Sequence, residues 1–157
     1  MSERGRRQAA GLTRALAGEG VETLIASDLA RAFETAAIVG RVLGLRPRPE
    51  PALRELDAGA WNGLPRHEIA RCDAEGLARF DSGDVDASAG GGESRRDVAR
   101  RARRALLAIG RENASRRLAV VTHSGVIRSL LPDARVTNAE WRVAPLGEIA
   151  DIDGAGP

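Results

Sequence analysis

The sequence predicts a three-layer α/β/α domain built on a mostly parallel sheet, and three features carry that expectation. Two short, unbroken apolar runs, Leu24-Ile25-Ala26 and Leu118-Ala119-Val120-Val121-Thr122, have the character of strands covered on both faces. Each passes directly into a segment whose apolar residues recur at helical spacing. Strands that alternate with helices place helices on both faces of a parallel sheet. At 157 residues the chain fits one domain spanning 1–157, since domains mostly run to about 100–200 residues. A domain of this size removes roughly 70% of its unfolded surface from water without a metal or disulfide staple.

In order, residues 2–18 read as a helix with Ser2 as N-cap, Ala9, Leu12 and Leu16 on one face, and Gly18 and Gly20 beyond its end. The strand at 24–26 ends at the polar pair Ser27-Asp28. From there Leu29, Phe33, Ala36, Ala37, Gly40 and Leu43 form the buried stripe of a second helix that stops at Gly44. Prolines at 47, 49, 51 and 65 make residues 45–65 an extended connection, with at most short strand pieces near Leu53–Leu56. A third helix is expected from about Pro65 to Phe80, followed by a Ser/Gly/Asp loop over 81–92. Residues 93–113 form an amphipathic helix with Val98, Ala102, Ala105, Leu106 and Ile109 inward and arginines on its other faces. The run at 118–122 ends at His123-Ser124-Gly125, where a short helix begins and stops before Pro132; one or two strands are expected between Trp141 and Ile152.

The 24 basic residues, all arginine, stand against 22 carboxylates, so the net charge is only +2. That is a weak basis for a nucleic-acid partner, and aromatic residues make up 3% of the chain, too few for base-stacking platforms. The run RRDVARRARR therefore reads as the solvated face of a helix. A lone cysteine, Cys72, excludes an internal disulfide and is expected to pack in the interior. No apolar run approaches the roughly 20 residues that cross a bilayer, so the chain is expected to be cytoplasmic, with no membrane partner. Position 78 is Ala78 rather than the arginine that a cysteine phosphatase needs six residues after its nucleophile. Asp81, Asp84 and Asp86 lack histidine and the spacing of a calcium loop, so no metal is expected.

Ligands of parallel α/β sheets bind beyond the carboxyl ends of the strands. Arg31 lies in the opening turn of one such helix, where free N–H groups and the helix dipole favour an anion and a guanidinium can grip phosphate with two hydrogen bonds. His123 stands at the other strand-to-helix corner, with Gly125 permitting close approach. Taken singly, each residue reads as an ordinary surface or packing group; together, they mark an anion-binding cleft. Glu55, in LRELDAGAWNG, has apolar neighbours that would favour a general acid, although its own surroundings equally allow a surface glutamate.

These segments, in order, resemble the histidine phosphatase family of the phosphoglycerate-mutase-like superfamily. MSERGRRQA is similar to its LTxxGxxQA, SDLARAFETA to its SxLxRAxxTA, LRELDAGAWNG to its LxExxxGxWxG, and VVTHSGVIR to its VxHGGxIR, with GGGES before a helix. The resemblance implies a phosphoglycerate mutase-like fold and hydrolysis or transfer of the phosphoryl group of a small phosphorylated metabolite through a phosphohistidine, with no cofactor. It also implies that Arg31 binds phosphate, that Glu55 gives a proton to the leaving oxygen, and that His123 is the second histidine of the pocket and a phosphate ligand. Ser124 stands where the family most often has glycine.

The family opens with a strand and an RHG motif that bears its nucleophilic histidine, and neither occurs in this chain. His67, the other histidine, falls in the third helix region. Loss of that strand would leave its two neighbours with unpaired backbone groups unless the sheet closes up or another chain supplies a strand, so the domain is expected to be truncated at its N-terminus, with the missing segment upstream, and to be inactive by itself. A phosphate-binding or scaffolding remnant is the alternative from another functional class.

Overall fold

The computed structural model describes residues 2–149 apart from Arg135 and Asn138. Helix α1 (Glu3–Leu16) starts where the Ser2 hydroxyl accepts the Gly5 N–H at 3.2 Å, meeting one of the unpaired donors of the first turn. It leads to strand β1 (Thr23–Ala26) and then helix α2 (Ala30–Leu43). Gly44 closes α2 with φ 70°, in the left-handed region. The Leu45 N–H donates back to Gly40 O at 2.8 Å, folding the chain tightly over the helix end.

Strand β2 is only two residues, Arg48–Pro49, and lies earlier than the expected 53–56. The difference has a local cause: Glu50 accepts the Ala52 N–H and starts a 3-10 turn at Pro51–Leu53. This turns Leu53 into the core, where it is fully buried. The single helix expected over 65–80 is two, α3 (Arg66–Cys72) and α4 (Ala74–Asp81). Asp73 breaks them apart by capping α4, accepting from Gly76 N–H at 3.0 Å and from Trp61 Nε1–H at 3.1 Å. No residue of α3 is buried, and Cys72 is exposed rather than packed. Helix α5 (Arg95–Glu112) opens with a reciprocal capping box between Ser94 and Asp97. Strand β3 (Leu118–Val121) and helix α6 (Ser124–Leu130) follow. In place of the strands expected after Trp141, residues 141–149 hold a 3-10 turn at Leu146–Glu148; the remainder of that expectation lies outside the described residues.

The sheet is parallel, in the order β2-β1-β3. Side chains alternate across it, as the pleat requires. Leu24 and Ala26 pack with Leu16, Ala36 and Val39 of α1 and α2, while Ile25 packs with Val98, Ala102 and Ile109 of α5 and Val126 of α6. These two clusters are the two faces of a three-layer α/β/α fold. β1 and β3 pair directly, from Thr23 opposite Leu118 to Ala26 opposite Val121. The gap foreseen between neighbouring strands therefore does not fall between these two. Among the described residues no strand pairs with the far edge of β3, and its residues are half-buried rather than enclosed. A third cluster, built on Trp61, Leu77 and Ala89, lies beneath α4, with Phe80 edge-on to Trp61 at 5.9 Å between ring centroids.

Gly40 shows how closely the sheet and α2 approach. A Cβ there would collide with Leu45 O and crowd Leu24. Gly40→Ala is expected to lower the unfolding free energy by about 2 kcal/mol, the scale of overpacking a tight site, despite alanine's better helix propensity. Urea denaturation checks this.

Candidate phosphate site

The β1–β3 register places two strand ends side by side. Ser27 follows β1, and its N–H donates to Val121 O at 2.9 Å, extending the ladder by one step. Two residues beyond β3, His123 is 7% exposed, with its Nε2 2.9 Å from Ser27 Oγ. Which of the two groups donates follows the ring tautomer. Ser27 Oγ also accepts the Leu29 N–H at 3.3 Å, just ahead of α2. Sequence reading took Ser27 only as the polar boundary of a strand. Its position at the first corner of the sheet edge was the available signal for a role beside His123.

Arg31 is in the first turn of α2, exposed at the same corner, and among the described residues it makes no ion pair. Glu55 comes from the connection after β2 and is half-buried. Its Oε1 accepts the N–H of Leu56 at 3.1 Å, and its carboxylate lies over the first turn of α6. A Cβ on Gly125 would collide with Glu55 Oε1, so the glycine is what admits the carboxylate. Arg31, Glu55 and His123, singled out from sequence, are thus gathered at one sheet edge. His67 is not: on α3, its side chain is 75% exposed.

Two arginines hold the Glu55 segment. Arg54 forms a bidentate pair with Asp28 at 2.7 and 2.5 Å, and the Arg54 guanidinium keeps the Asp28 carboxyl below its ordinary pKa. Arg101 of α5 pairs with both oxygens of Glu93 at 2.7 and 2.9 Å and donates to Ala52 O at 2.6 Å and Glu55 O at 3.3 Å. That hydrogen bonding, the Arg101 contribution first, holds the Glu93 carboxyl below its ordinary pKa despite partial burial. Arg101 departs from the expected outward-facing arginines of this helix: its side chain is 24% exposed. Its position three residues after Val98, on the inner face, was the signal. Asp81, Asp84 and Asp86 are likewise tied, to Arg66, Arg79 and Arg96 respectively.

Burial, first of all, lowers the His123 pKa from its ordinary value; Arg31 adds to this, Glu55 opposes it, and Arg101 lowers it further. The imidazole is therefore neutral near pH 7, and two nearby guanidiniums leave the corner short of negative charge. A dianion placed there would offset both cations and favour the imidazolium.

Parallel strands with a buried histidine beyond one strand end, an arginine beyond the next and a carboxylate beside them form a corner suited to an anion. The profile of the histidine phosphatase superfamily (branch 1) matches residues 1–147, and the chain belongs to that superfamily. It is 38% identical over 138 residues to phosphoglycerate mutase-like protein 4 of Arabidopsis thaliana, covering 86% of this chain and 60% of the relative. It is 33% identical over 142 residues to a metal-independent phosphoserine phosphatase of the same plant, covering 88% of this chain and 59% of the relative. The fold superposes on a mycobacterial glucosyl-3-phosphoglycerate phosphatase in complex with inorganic phosphate, with a TM-score of 0.76, 32% identity, and 83% and 66% of the two chains covered. The chain thus spans about three-fifths of the length of these curated relatives.

Two outcomes follow from the geometry. In an NMR titration of the free chain, His123 is expected to protonate with a midpoint below 6.5, and added phosphate to move that midpoint upward. A depressed pKa in the fold means that the unfolded chain binds the proton first. The His123 contribution to stability is therefore complete above about pH 6.5 and is lost as pH falls through the depressed value. Separately, Arg101→Met leaves Glu93 and two carbonyls short of a partner and is expected to cost about 3 kcal/mol in denaturant melts.

Proposed function

We propose that this chain forms the phosphate-binding and proton-donating part of a histidine phosphatase-type site acting on small phosphomonoesters. In this reading Arg31 holds the phosphate through its guanidinium, and His123 donates an N–H to a phosphate oxygen. Glu55 passes a proton to the ester oxygen as the phosphorus–oxygen bond breaks. The observation that carries the proposal is the convergence of Arg31, Glu55 and His123 on one corner, with both charged groups close enough to bias the titration of the buried imidazole. The relatives bear phosphatase and mutase names, one of them designated metal-independent. They support hydrolysis or transfer of a phosphoryl group from a phosphorylated metabolite, and the name of one supports a reaction without a metal.

A phosphohistidine route needs a histidine that attacks phosphorus besides the one that assists. Of the two histidines in this chain, only His123 is at the corner. That favours binding without turnover for these 157 residues on their own, the attacking histidine belonging to an RHG segment that this sequence does not contain.

Calorimetry with inorganic phosphate tests the binding half. The chain is expected to bind, and Arg31→Gln to weaken binding roughly tenfold or more, the worth of a charge-assisted hydrogen bond. No binding by the unchanged chain would contradict the reading. Release of p-nitrophenol from its phosphate ester is expected to stay at the uncatalysed rate, and clear turnover by these 157 residues would refute the division of roles.

A further inference from the structure

Ser27 is fully buried just beyond the end of β1, and its hydroxyl has few partners. Its backbone is pinned, since the Ser27 N–H donates to Val121 O at 2.9 Å. Ser27 Oγ accepts the Leu29 N–H at 3.3 Å and stands 2.9 Å from His123 Nε2, and among the described residues it has no other partner. A hydroxyl carries one proton and two lone pairs. The Leu29 N–H takes one lone pair, so the contact with Nε2 is the one outlet for the proton. If Nε2 carried the hydrogen instead, the serine proton would be buried with no acceptor, at the full cost of its desolvation. The count of donors and acceptors therefore has Ser27 donating to Nε2. A neutral imidazole then holds its own hydrogen on Nδ1.

Nδ1 is also the nitrogen that a ligand can reach. The two ring nitrogens point in diverging directions, and Nε2 is turned inward. Nδ1 has no protein partner among the described residues and is not sealed from solvent, although the residue as a whole is buried. In the opposite tautomer a lone pair on Nδ1 would face any anion held by Arg31, and the two would repel. The same hydroxyl reaches the other half of the corner. Leu29, whose N–H it accepts, immediately precedes α2, and Arg31 follows two residues later in the first turn. One side chain thus ties the entry of α2 to the ring beyond β3.

We propose that Ser27 is a positioning residue: its hydroxyl donates to His123 Nε2, fixes the neutral ring with its hydrogen on Nδ1, and so presents a donor rather than a lone pair to the phosphate. This rests on the phosphate-site reading and assigns the N–H in it to one nitrogen. Ser27 acts through His123 and through the start of α2, and it does not itself touch the ligand.

Two measurements on the full chain at about pH 8, where an imidazole is neutral, test this. A nitrogen-15 correlation spectrum reports which ring nitrogen carries the hydrogen, with exposed His67 as the internal reference for an unconstrained ring. The unchanged chain and Ser27→Thr, which keeps the hydroxyl, are expected to hold it on Nδ1, and Ser27→Ala to move toward the equilibrium of His67. Calorimetry with inorganic phosphate is expected to show binding weakened about fivefold in Ser27→Ala, the worth of one ordinary hydrogen bond, and restored in Ser27→Thr. Phosphate binding by an unchanged chain whose His123 carries its hydrogen on Nε2 would overturn the positioning role alone. So would an affinity unaltered in Ser27→Ala, or one that falls while the hydrogen stays on Nδ1. No phosphate binding by the unchanged chain would overturn the phosphate site, and this role with it.

Discussion

The parallel ladder between β1 and β3 is the constraint on which the site depends. Because Ala26 is opposite Val121, Ser27 and His123 leave the sheet at nearly the same height, and α2 and α6 start from a common edge. The register is held by burial. Ile25 has to face Val98 and Val126, and Leu24 has to face Val39. A slip of one residue would reverse both sets of contacts at once. The Ser27–His123 contact is then a consequence of strand pairing, and the imidazole is buried because α2 and α6 crowd the corner from which it emerges.

What the ladder does not do is place Glu55. That residue comes from a connection with almost no regular structure, and its position is set by side chains. Arg54 ties it to the β1–α2 corner through Asp28, and Arg101 ties it to α5 through the carbonyls of Ala52 and Glu55. Leu53 anchors the segment from within, wholly buried against the core. Gly125 completes the arrangement by leaving room for the carboxylate above α6. A loop positioned by a rigid scaffold is a usual way to hold a reactive group, and here the scaffold contributes two guanidiniums and one leucine.

The parts legible in the sequence were those governed by period and local chemistry. The runs at 24–26 and 118–121, the Ser2 and Gly44 caps, and the stripe of α2 all express local patterns. Arg31, Glu55 and His123 could be singled out because they sit at strand ends or within a motif, and the family could be named from motifs in order. The rest depended on contacts distant in sequence. Asp73 breaks a helix by taking Trp61 as a partner twelve residues away. Arg101 looks like one arginine among many until it meets Ala52 and Glu55, nearly fifty residues earlier. β2 is displaced from 53–56 by the Glu50 cap and the turn after it, and Cys72 is exposed because α3 lies on the surface and turns Ile69, not Cys72, towards the Trp61 cluster.

Membership of the histidine phosphatase superfamily and the geometry of this corner converge on one central claim: the edge where β1 and β3 end is a phosphate site. A crystal of the chain soaked in tungstate, a heavy tetrahedral stand-in for phosphate, tests it most directly. The account predicts an anomalous peak within hydrogen-bonding distance of both Arg31 and His123, on the Glu55 side of the corner. Tungstate bound only elsewhere on this arginine-rich surface, with that corner empty, would contradict it.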